Sequence, residues 1–142
     1  MASALLKSSN SFQALSLYRR LRRAGEESVL YSRPAIYYVR QRIREGFREY
    51  ENVTDEQLLQ DLFERAENTI KFFKIAAERK GIEHRVIRNL CEMTYIQNRY
   101  RTRPPFVNKK QKIEKYLIHQ GSYRDLYDMI KMLNDTLKLC LR

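Results

Sequence analysis

The amino-acid sequence predicts an all-α fold, and three observations support this prediction. Apolar residues recur at helical spacing along three successive segments within the first 81 residues. Capping residues, a proline and glycines lie near the ends of those segments, where helices begin and end. No segment alternates apolar and polar residues as a half-buried strand does, and the sequence contains no internal repeat. We therefore expect a helical bundle followed by a helical extension.

The first predicted helix covers residues 9–24, with Ser9 or one of the next two residues as its N-cap and Gly25 as its end. One apolar stripe follows the spacing i, i+3, i+4 and i+7: Ala14, Leu17, Tyr18 and Leu21. Four arginines lie off this stripe: Arg19, Arg20, Arg22 and Arg23. The stripe alone explains Leu17 and Tyr18 as core residues, with the Tyr18 hydroxyl able to reach a polar partner at the edge of the core.

The second predicted helix covers residues 34–50, because Pro34 suits a first turn, where its missing N–H costs nothing. Its apolar stripe is spaced 3, 4, 4 and 3 residues apart: Ile36, Val39, Ile43, Phe47 and Tyr50. Beside the stripe runs the arginine row, which consists of Arg40, Arg44 and Arg48. Like charges four residues apart destabilise an isolated helix by about 0.2–0.5 kcal/mol per pair, so we expect the row to face a negatively charged partner. The alternative is a solvated face that Glu45 and Glu49 partly neutralise.

The third predicted helix covers residues 55–80 and has the clearest start signal in the chain. Thr54 and Gln57 have the spacing of a capping box, with Thr54 at the N-cap, and Gly81 ends the helix. Its stripe runs along the whole segment: Leu59, Leu62, Phe63, Ala66, Ile70, Phe73 and Ala77. Three amphipathic helices with short connections favour an antiparallel up-down-up bundle.

Residues 82–142 form the predicted helical extension, which packs on the bundle of residues 1–81 or binds another protein. Its predicted elements are a helix at 83–99, a helix at 109–119 that ends at Gly121, and a last helix capped by Ser122. A linker is expected at 101–105, because its two prolines cannot continue a helix. The last helix carries its own apolar stripe: Leu126, Ile130, Leu133, Leu137 and Cys140 or Leu141.

The charge balance of the 142-residue chain favours acidic partners, because its formal net charge is +11. Such a balance suits nucleic acid, an anionic membrane surface or an acidic protein, and a generally basic surface explains it equally well. No apolar run approaches the roughly 20 residues of a transmembrane helix, so we expect no membrane insertion. The first fifteen residues make a poor secretory signal and a weak transit peptide.

The sequence lacks the patterns that carry catalysis or hold a metal ion. It contains no phosphate-binding glycine loop, nucleophile elbow, paired-carboxylate signature or metal-ligand cluster. Its two histidines, His84 and His119, lie far apart. Its two cysteines, Cys91 and Cys140, lack the spacing of a zinc or disulfide site, and we interpret each as a small buried apolar residue. We therefore expect the protein not to be an enzyme and to hold no metal ion or cofactor of its own.

One tripeptide and one downstream pattern connect the sequence to a known family. Leu17-Tyr18-Arg19 lies early in a short basic chain and on an amphipathic helix. The pattern Ile43-Arg44-x-x-Phe47-Arg48 follows about one helix later. Together they resemble the mitochondrial LYR-motif family, also called complex I LYR-like proteins, over roughly residues 12–81.

Two parts of this region resemble different members of the family. The segment from Ile43 to Val53 is most similar to the LYR subunit of the cysteine desulfurase complex. The tripeptides that begin at Val53 and at Thr69 resemble the LYR accessory subunit of respiratory complex I. Residues 82–142 resemble no particular member, so the identity of a client complex stays open.

The resemblance implies a three-helix LYR bundle that acts as a non-catalytic adaptor in the mitochondrial matrix. Adaptors of this kind bind the acidic mitochondrial acyl carrier protein, whose acyl group, linked through 4′-phosphopantetheine, inserts between the adaptor's helices. They serve as assembly factors or accessory subunits, here in iron–sulfur cluster biogenesis or the respiratory chain. Given the weak transit peptide, we expect any mitochondrial address to be internal or uncleaved.

The resemblance and the helical spacing together assign expected roles to individual residues. The expected carrier-binding residues are Tyr18, Arg19, Arg40, Arg44 and Arg48. The expected path of the acyl chain runs along Leu17, Ile43, Phe47 and Phe63. Truncation after Thr102 is then expected to leave carrier binding largely intact and to weaken binding of the client.

The alternative hypothesis is an RNA-binding protein or a component of the mitochondrial ribosome. Its support is a basic cluster in the extension: Arg99, Arg101, Arg103, Lys109, Lys110 and Lys112. Three aromatic residues are interleaved with it: Tyr95, Tyr100 and Phe106. Aromatic stacking beside a basic groove is a common way to hold a single strand, but no RNA-recognition motif is present.

Overall fold

The computed structural model describes residues 2–102 and 113–142, which form five α-helices and, within these ranges, no strand. The helices are α1 (Ala2–Ser28), α2 (Ala35–Glu49), α3 (Glu56–Ala77), α4 (Ile82–Thr102) and α5 (Ile113–Leu137). The prediction of an all-α fold is confirmed. No helix in the described part of the chain is long and apolar enough to cross a bilayer.

The first three helices form the predicted up-down-up bundle. The Tyr18 ring, midway along α1, contacts the Phe47 ring near the end of α2. Glu26, near the end of α1, binds Arg40, near the start of α2, so these two helices are antiparallel. α1 packs most extensively on α3 and then on α2, while α4 packs on α3 and α2.

The buried core follows the predicted stripes. Stripe residues from the three bundle helices are buried: Leu17, Leu21, Ile36, Val39, Ile43, Ala66, Ile70 and Phe73. Other bundle residues join them: Ala24, Thr69, Phe72 and Ala76. Helix α4 adds Ile87, and the residues after α5 add Leu139 and Leu141. One core therefore includes side chains from both sides of the predicted boundary at Gly81, and the division into two domains stays a prediction.

The first helix does not end at Gly25, which is buried inside α1. A Cβ atom at this position would lie only 2.6 Å from Cγ1 of Val39, so the glycine permits α2 to approach closely. The helix ends instead at a turn in which Leu30 has a φ of 51° and the Tyr31 N–H donates to the carbonyl of Glu26 at 3.0 Å. This Schellman turn needs a left-handed residue, and here that residue is a leucine rather than a glycine.

The cap of α3 differs from the predicted capping box by one residue. Asp55 is the N-cap, and its Oδ1 accepts a hydrogen bond from the Gln57 N–H at 3.1 Å. Gln57 is therefore the second helical residue, where its side chain cannot reach back as the third would. The prediction of Thr54 as the cap is wrong. A carboxylate at this position also suits the positive end of the helix dipole.

The last predicted break, at Gly121, is also absent, because α5 continues through this residue. A glycine ends a helix only where the backbone turns left-handed, and Gly121 keeps the helical conformation at a modest energetic cost. The prediction of a separate helix at 109–119 partly lies outside the described residues. The helix ends at Leu137, where Lys138 has a φ of 48° and redirects the chain.

The five residues after α5, residues 138–142, form a non-helical segment that we call the strap. Burial alternates along it, with Leu139 and Leu141 in the core and the residues between and after them half-buried. The interpretation of Cys140 or Leu141 as a continuation of the last helix is therefore wrong. Leu137, predicted for that stripe, is exposed, and the chain turns at Lys138 directly after it.

Helix α5 itself packs lightly on the rest of the molecule. Among the described residues, the extensive helix–helix contacts join only α1, α2, α3 and α4. Ile130 and Leu133 contact the core, and the Tyr127 hydroxyl accepts a hydrogen bond from Gln97 of α4 at 2.6 Å. Much of the remaining apolar surface of α5 is exposed to solvent, including Ile118 and Met132.

Candidate functional site

A partly open cavity of about 660 Å³ lies between the bundle, α4 and the strap. Its wall is mostly apolar and is formed by α1, α2, α3, α4, the loop between α2 and α3, and the strap. Sites for small molecules and cofactors typically measure about 300–1,000 Å³ and have mainly apolar walls with a few polar groups. The cavity therefore has the size and character of a binding site for an apolar ligand.

The four residues predicted for the acyl-chain path all line this cavity. Leu17 comes from α1, Ile43 and Phe47 from α2, and Phe63 from α3. Leu17 and Ile43 are buried, while Phe47 and Phe63 are half-buried at the edge of the core. The structure thus brings these side chains from three helices to one cavity, and their role toward an acyl chain stays a prediction.

Tyr18 lies outside the cavity lining and packs on Phe47, which is part of it. The two ring centroids are 5.1 Å apart at an angle of 78°, an edge-to-face arrangement that aromatic rings favour. This contact fixes the Leu17-Tyr18-Arg19 tripeptide of α1 against the part of α2 that carries Arg44 and Arg48. The tripeptide and the downstream pattern therefore meet in space.

The arginine row divides into a paired and an unpaired part. Nε of Arg40 donates to Oε1 of Glu26 at 2.6 Å, and Nε of Arg22 donates to the same oxygen at 2.8 Å. The hydrogen bond from Arg40, with that from Arg22, holds the pKa of the Glu26 carboxyl below its usual value despite its burial. Arg40 thus braces α2 against α1.

Arg44 and Arg48 are exposed, and neither forms an ion pair within the described part of the chain. Arg19, next to the Tyr18–Phe47 contact, is likewise exposed and unpaired among these residues. Three guanidinium groups at this edge of α1 and α2 therefore remain available to an external anion.

Glu45 and Glu49, which would partly neutralise the row under the alternative of a solvated face, bind other residues. Glu45 accepts a hydrogen bond from Gln41 at 2.9 Å and forms an ion pair with Arg42 at 3.5 Å. Glu49 forms an ion pair with Arg142 of the strap. Neither carboxylate forms an ion pair with Arg44 or Arg48 in the described part of the chain, so Glu45 and Glu49 do not neutralise these two arginines directly.

The polar part of the cavity wall was not identified from the sequence. Nε of Arg42 donates to Oγ1 of Thr94 at 3.3 Å, and its Nη2 donates to Gln97 at 2.9 Å. Arg42 and Thr94 both line the cavity. Arg42 belongs neither to the apolar stripe nor to the arginine row, so no periodic signal distinguishes it from the other arginines.

Both cysteines line the cavity, Cys91 from α4 and Cys140 from the strap. Burial raises the pKa of the Cys91 thiol to about 11 and also raises that of Cys140, so both thiols are protonated at neutral pH. The interpretation of each cysteine as a small buried apolar residue holds in part, because both side chains are half-buried. Within residues 2–102 and 113–142, no cluster of histidine, cysteine and acidic residues could hold a metal ion.

The basic cluster of the RNA hypothesis is described only in part. Arg99 and Tyr95 are exposed on α4, and the Tyr95 ring lies 6.3 Å from the Tyr38 ring of α2. Tyr100 and Arg101 belong to the last turn of α4. Four of its members lie outside the described residues, together with Phe106: Arg103, Lys109, Lys110 and Lys112.

The region that carries the tripeptide and most of the cavity-lining residues of α1 to α3 is similar to a known protein family. No curated protein and no solved structure matches the chain. The sequence model of one family, described as Complex 1 protein (LYR family), matches residues 12–72. The matched residues include most of α1, all of α2 and most of α3, and hence the tripeptide and all four predicted path residues. Residues 12–72 of this chain therefore match the LYR family, in agreement with the resemblance that the tripeptide and the downstream pattern indicate.

Proposed function

We propose that this protein is a non-catalytic adaptor of the mitochondrial matrix that binds an acyl carrier protein. The cavity receives the acyl chain, and the unpaired arginines bind the acidic surface and the phosphate of the carrier. In this role the protein serves as an assembly factor or accessory subunit of a complex in iron–sulfur cluster biogenesis or the respiratory chain. The match of residues 12–72 to the LYR family supports this assignment.

The observation that carries the proposal is an apolar cavity beside three unpaired arginines. An acyl chain on an acidic carrier has both complementary features, an apolar tail and a negatively charged body. Burying one CH₂ group contributes about 0.8 kcal/mol, so a chain of about eight carbons supplies up to about 6 kcal/mol. The cavity volume of about 660 Å³ lies within the range of natural ligand sites.

The electrostatic half of the proposal rests on Arg19, Arg44 and Arg48. Each is exposed, and Glu45 and Glu49, the nearest acidic residues along α2, bind Arg42 and Arg142 instead. A guanidinium group binds carboxylate and phosphate oxygens through two parallel hydrogen bonds, which an ammonium group cannot do. An acidic carrier therefore finds charges here that no ion-pair partner within the described residues has already satisfied.

The decisive experiment reverses the two unpaired charges of the row. The double variant Arg44→Glu/Arg48→Glu should bind the acylated carrier more than about tenfold more weakly, and its residual binding should depend less on salt. The matched control is Lys74→Glu/Arg85→Glu, which makes the same charge change at two exposed residues of α3 and α4. Isothermal titration calorimetry at two ionic strengths measures the affinities, and circular dichroism checks folding.

The single variant Arg44→Lys separates charge from geometry. It keeps the charge but loses the two-pronged hydrogen bonding, so its affinity should lie between those of the wild type and Arg44→Glu. Wild-type affinity in the folded double variant would remove the row from the carrier interface. Equal weakening in the control pair would show that only net charge matters.

The RNA hypothesis predicts a different pattern from the same proteins. Single-stranded RNA should then bind the purified chain, and Arg99→Glu should weaken that binding while the carrier shows no affinity. Affinity purification from mitochondria followed by mass spectrometry addresses the client. It would identify an acyl carrier protein through its phosphopantetheine mass together with the proteins of the client complex.

A further inference from the structure

The strap forms one wall of the cavity although it follows α5, which packs lightly on the bundle. Cys140, Leu141 and Arg142 line the cavity together with residues of α1 to α4. Leu139 and Leu141 are both buried in the core. A segment outside the region matched by the family model therefore contributes directly to the candidate binding site.

We propose that the strap completes the binding site for the acyl chain, so that the docked strap and the bound chain stabilise each other. This inference rests on the proposed function. The cavity of about 660 Å³ is present while the strap is docked, so strap and ligand occupy different space. Undocking of the strap would remove the wall that Leu141 provides. The part of the bound acyl chain next to Leu141 would then be exposed to water.

Hydrogen bonds to α3 hold the strap in place. The Cys140 N–H donates to Oγ1 of Thr69 at 3.0 Å, and Nδ2 of Asn68 donates to the Lys138 carbonyl at 3.3 Å. The hydroxyl of Thr69, a buried residue, also donates to the carbonyl of Arg65 one turn earlier, at 2.8 Å. The Cys140 N–H and the Lys138 carbonyl of the strap are thus paired with side chains of α3.

Asn134 of α5 fixes the position of the strap from the other side. Its Nδ2 donates to the Leu141 carbonyl at 2.8 Å, and its Oδ1 accepts from the Leu141 N–H at 2.9 Å. Its own carbonyl accepts from the Leu139 N–H at 2.9 Å. Asn134 does not line the cavity, so it is a positioning residue that acts on the ligand only through the strap.

Thermodynamic linkage makes the proposal quantitative. If docking of the strap raises the affinity for the acyl chain by some factor, the bound acyl chain must raise the equilibrium constant for docking of the strap by the same factor. A carrier with bare phosphopantetheine brings no acyl chain to Leu141 and should be insensitive to the strap. The strap therefore distinguishes acylated from unacylated carrier, whereas the arginines should act on both.

The first test compares Asn134→Ala with the control Asn89→Ala. Asn89 is exposed on α4, and its side chain makes no hydrogen bond within the described part of the protein. Calorimetry measures affinity for the carrier bearing a decanoyl group and for the carrier bearing bare phosphopantetheine. Asn134→Ala should weaken binding of the decanoyl form by about tenfold, because two hydrogen bonds to the strap are lost, and leave the bare form unchanged. Asn89→Ala should match the wild type in both.

A second readout follows the strap itself through the thiol of Cys140. Iodoacetamide labelling with peptide mass spectrometry compares Cys140 with Cys91, which lines the same cavity from α4. Asn134→Ala should speed labelling of Cys140 and leave that of Cys91 unchanged. Glu49→Gln provides a second variant should Asn134→Ala lose its fold. It removes the ion pair that holds Arg142 of the strap, and Glu49 itself lies outside the cavity lining. We again expect faster labelling of Cys140 and unchanged labelling of Cys91.

The outcomes separate this inference from the proposed function. Equal weakening for decanoyl and bare carrier, or faster Cys140 labelling with unchanged decanoyl affinity, would overturn the role of the strap while leaving the adaptor intact. If neither carrier form binds the wild type, the proposed function fails. Decanoyl-pantetheine without a carrier then serves as the probe, where weaker binding by Asn134→Ala supports the strap and equal binding overturns it.

The inference also revises an expectation from the sequence. Truncation after Thr102 was expected to leave carrier binding largely intact, because the binding residues all lie in the first three helices. That truncation removes Asn134 together with Cys140 and Leu141 of the cavity wall. We now expect it to weaken binding of the acylated carrier and to spare that of the bare form.

Discussion

The bundle of α1 to α3 and the unit of α5 with its strap bury their apolar residues in different ways. In the bundle, burial follows each helix along its length, and Leu17 is only 2% exposed. In α5 most large apolar side chains face solvent, and Met132 is 70% exposed. The deep burial of this second unit is concentrated in the strap, at Leu139 and Leu141. Helical periodicity therefore indicates burial only where a helix packs on neighbours along its whole length.

A pair of leucine truncations tests this contrast where the expected effect is largest. Leu17→Ala should lower the free energy of unfolding by about 2–5 kcal/mol, because it leaves a gap in the core. Leu117→Ala, on α5 at 61% exposure, should change it by less than about 0.5 kcal/mol. Urea unfolding followed by circular dichroism measures both. Similar losses would mean that α5 packs on a surface outside the described contacts.

A pair of glycine substitutions should change the free energy of unfolding in opposite directions in the bundle and in α5. Gly25→Ala should destabilise the bundle by about 1–3 kcal/mol, since its Cβ would lie 2.6 Å from Cγ1 of Val39 and overpack the contact between α1 and α2. Gly121→Ala meets no atom within 4 Å and should stabilise α5 by about 0.5–1 kcal/mol. Hydrogen exchange resolves the two helices separately. Destabilisation at both sites would contradict the open surroundings of Gly121.

The smallest expected effect concerns pH and the carboxylate that Arg40 and Arg22 share. Because the folded-state pKa of Glu26 is lowered, its contribution to stability is present above the unfolded pKa of about 4.5 and is lost as pH falls through the folded value. Glu26→Gln should therefore narrow the difference in stability between pH 7 and pH 3. The control is Glu64→Gln, whose exposed pairing with Lys138 of the strap should have little influence. An unchanged dependence of stability on pH in Glu26→Gln would contradict a stabilising role for the ion pairs of Glu26 with Arg40 and Arg22.

The sequence predicted the bundle well because its helices obey local rules. The stripe residues Leu17, Ile43 and Ile70 are spaced for one face of a helix and do lie in the core. Phe47 and Phe63, which the resemblance and the helical spacing together assigned to the acyl-chain path, both line the cavity, and their role toward a ligand stays a prediction. Helical spacing and short motifs depend on residues that are close together in the sequence, so both can be recognised without the structure.

The rest could not be predicted, because it depends on contacts between distant segments. Gly25 and Gly121 are identical as sequence signals, yet both lie within helices and only Gly25 meets another helix closely. The strap follows a left-handed turn at Lys138, a residue without any special preference for that conformation. Once the chain turns there, helical spacing no longer indicates which side chains are buried. Asn134 is recognisable as a positioning residue only when Leu141 is seen beside it.

The alternating burial of the strap makes its register sensitive to length. One residue inserted after Lys138 would shift Leu139 and Leu141 by one place, so that the positions facing the core would receive the wrong side chains. Two inserted residues would restore the alternation but not the spacing to Asn134. The turns of α5 far from Asn134 meet no such restriction, since much of their surface faces solvent. Variation in length is therefore tolerated more readily in those turns of α5 than in the five residues that follow the helix.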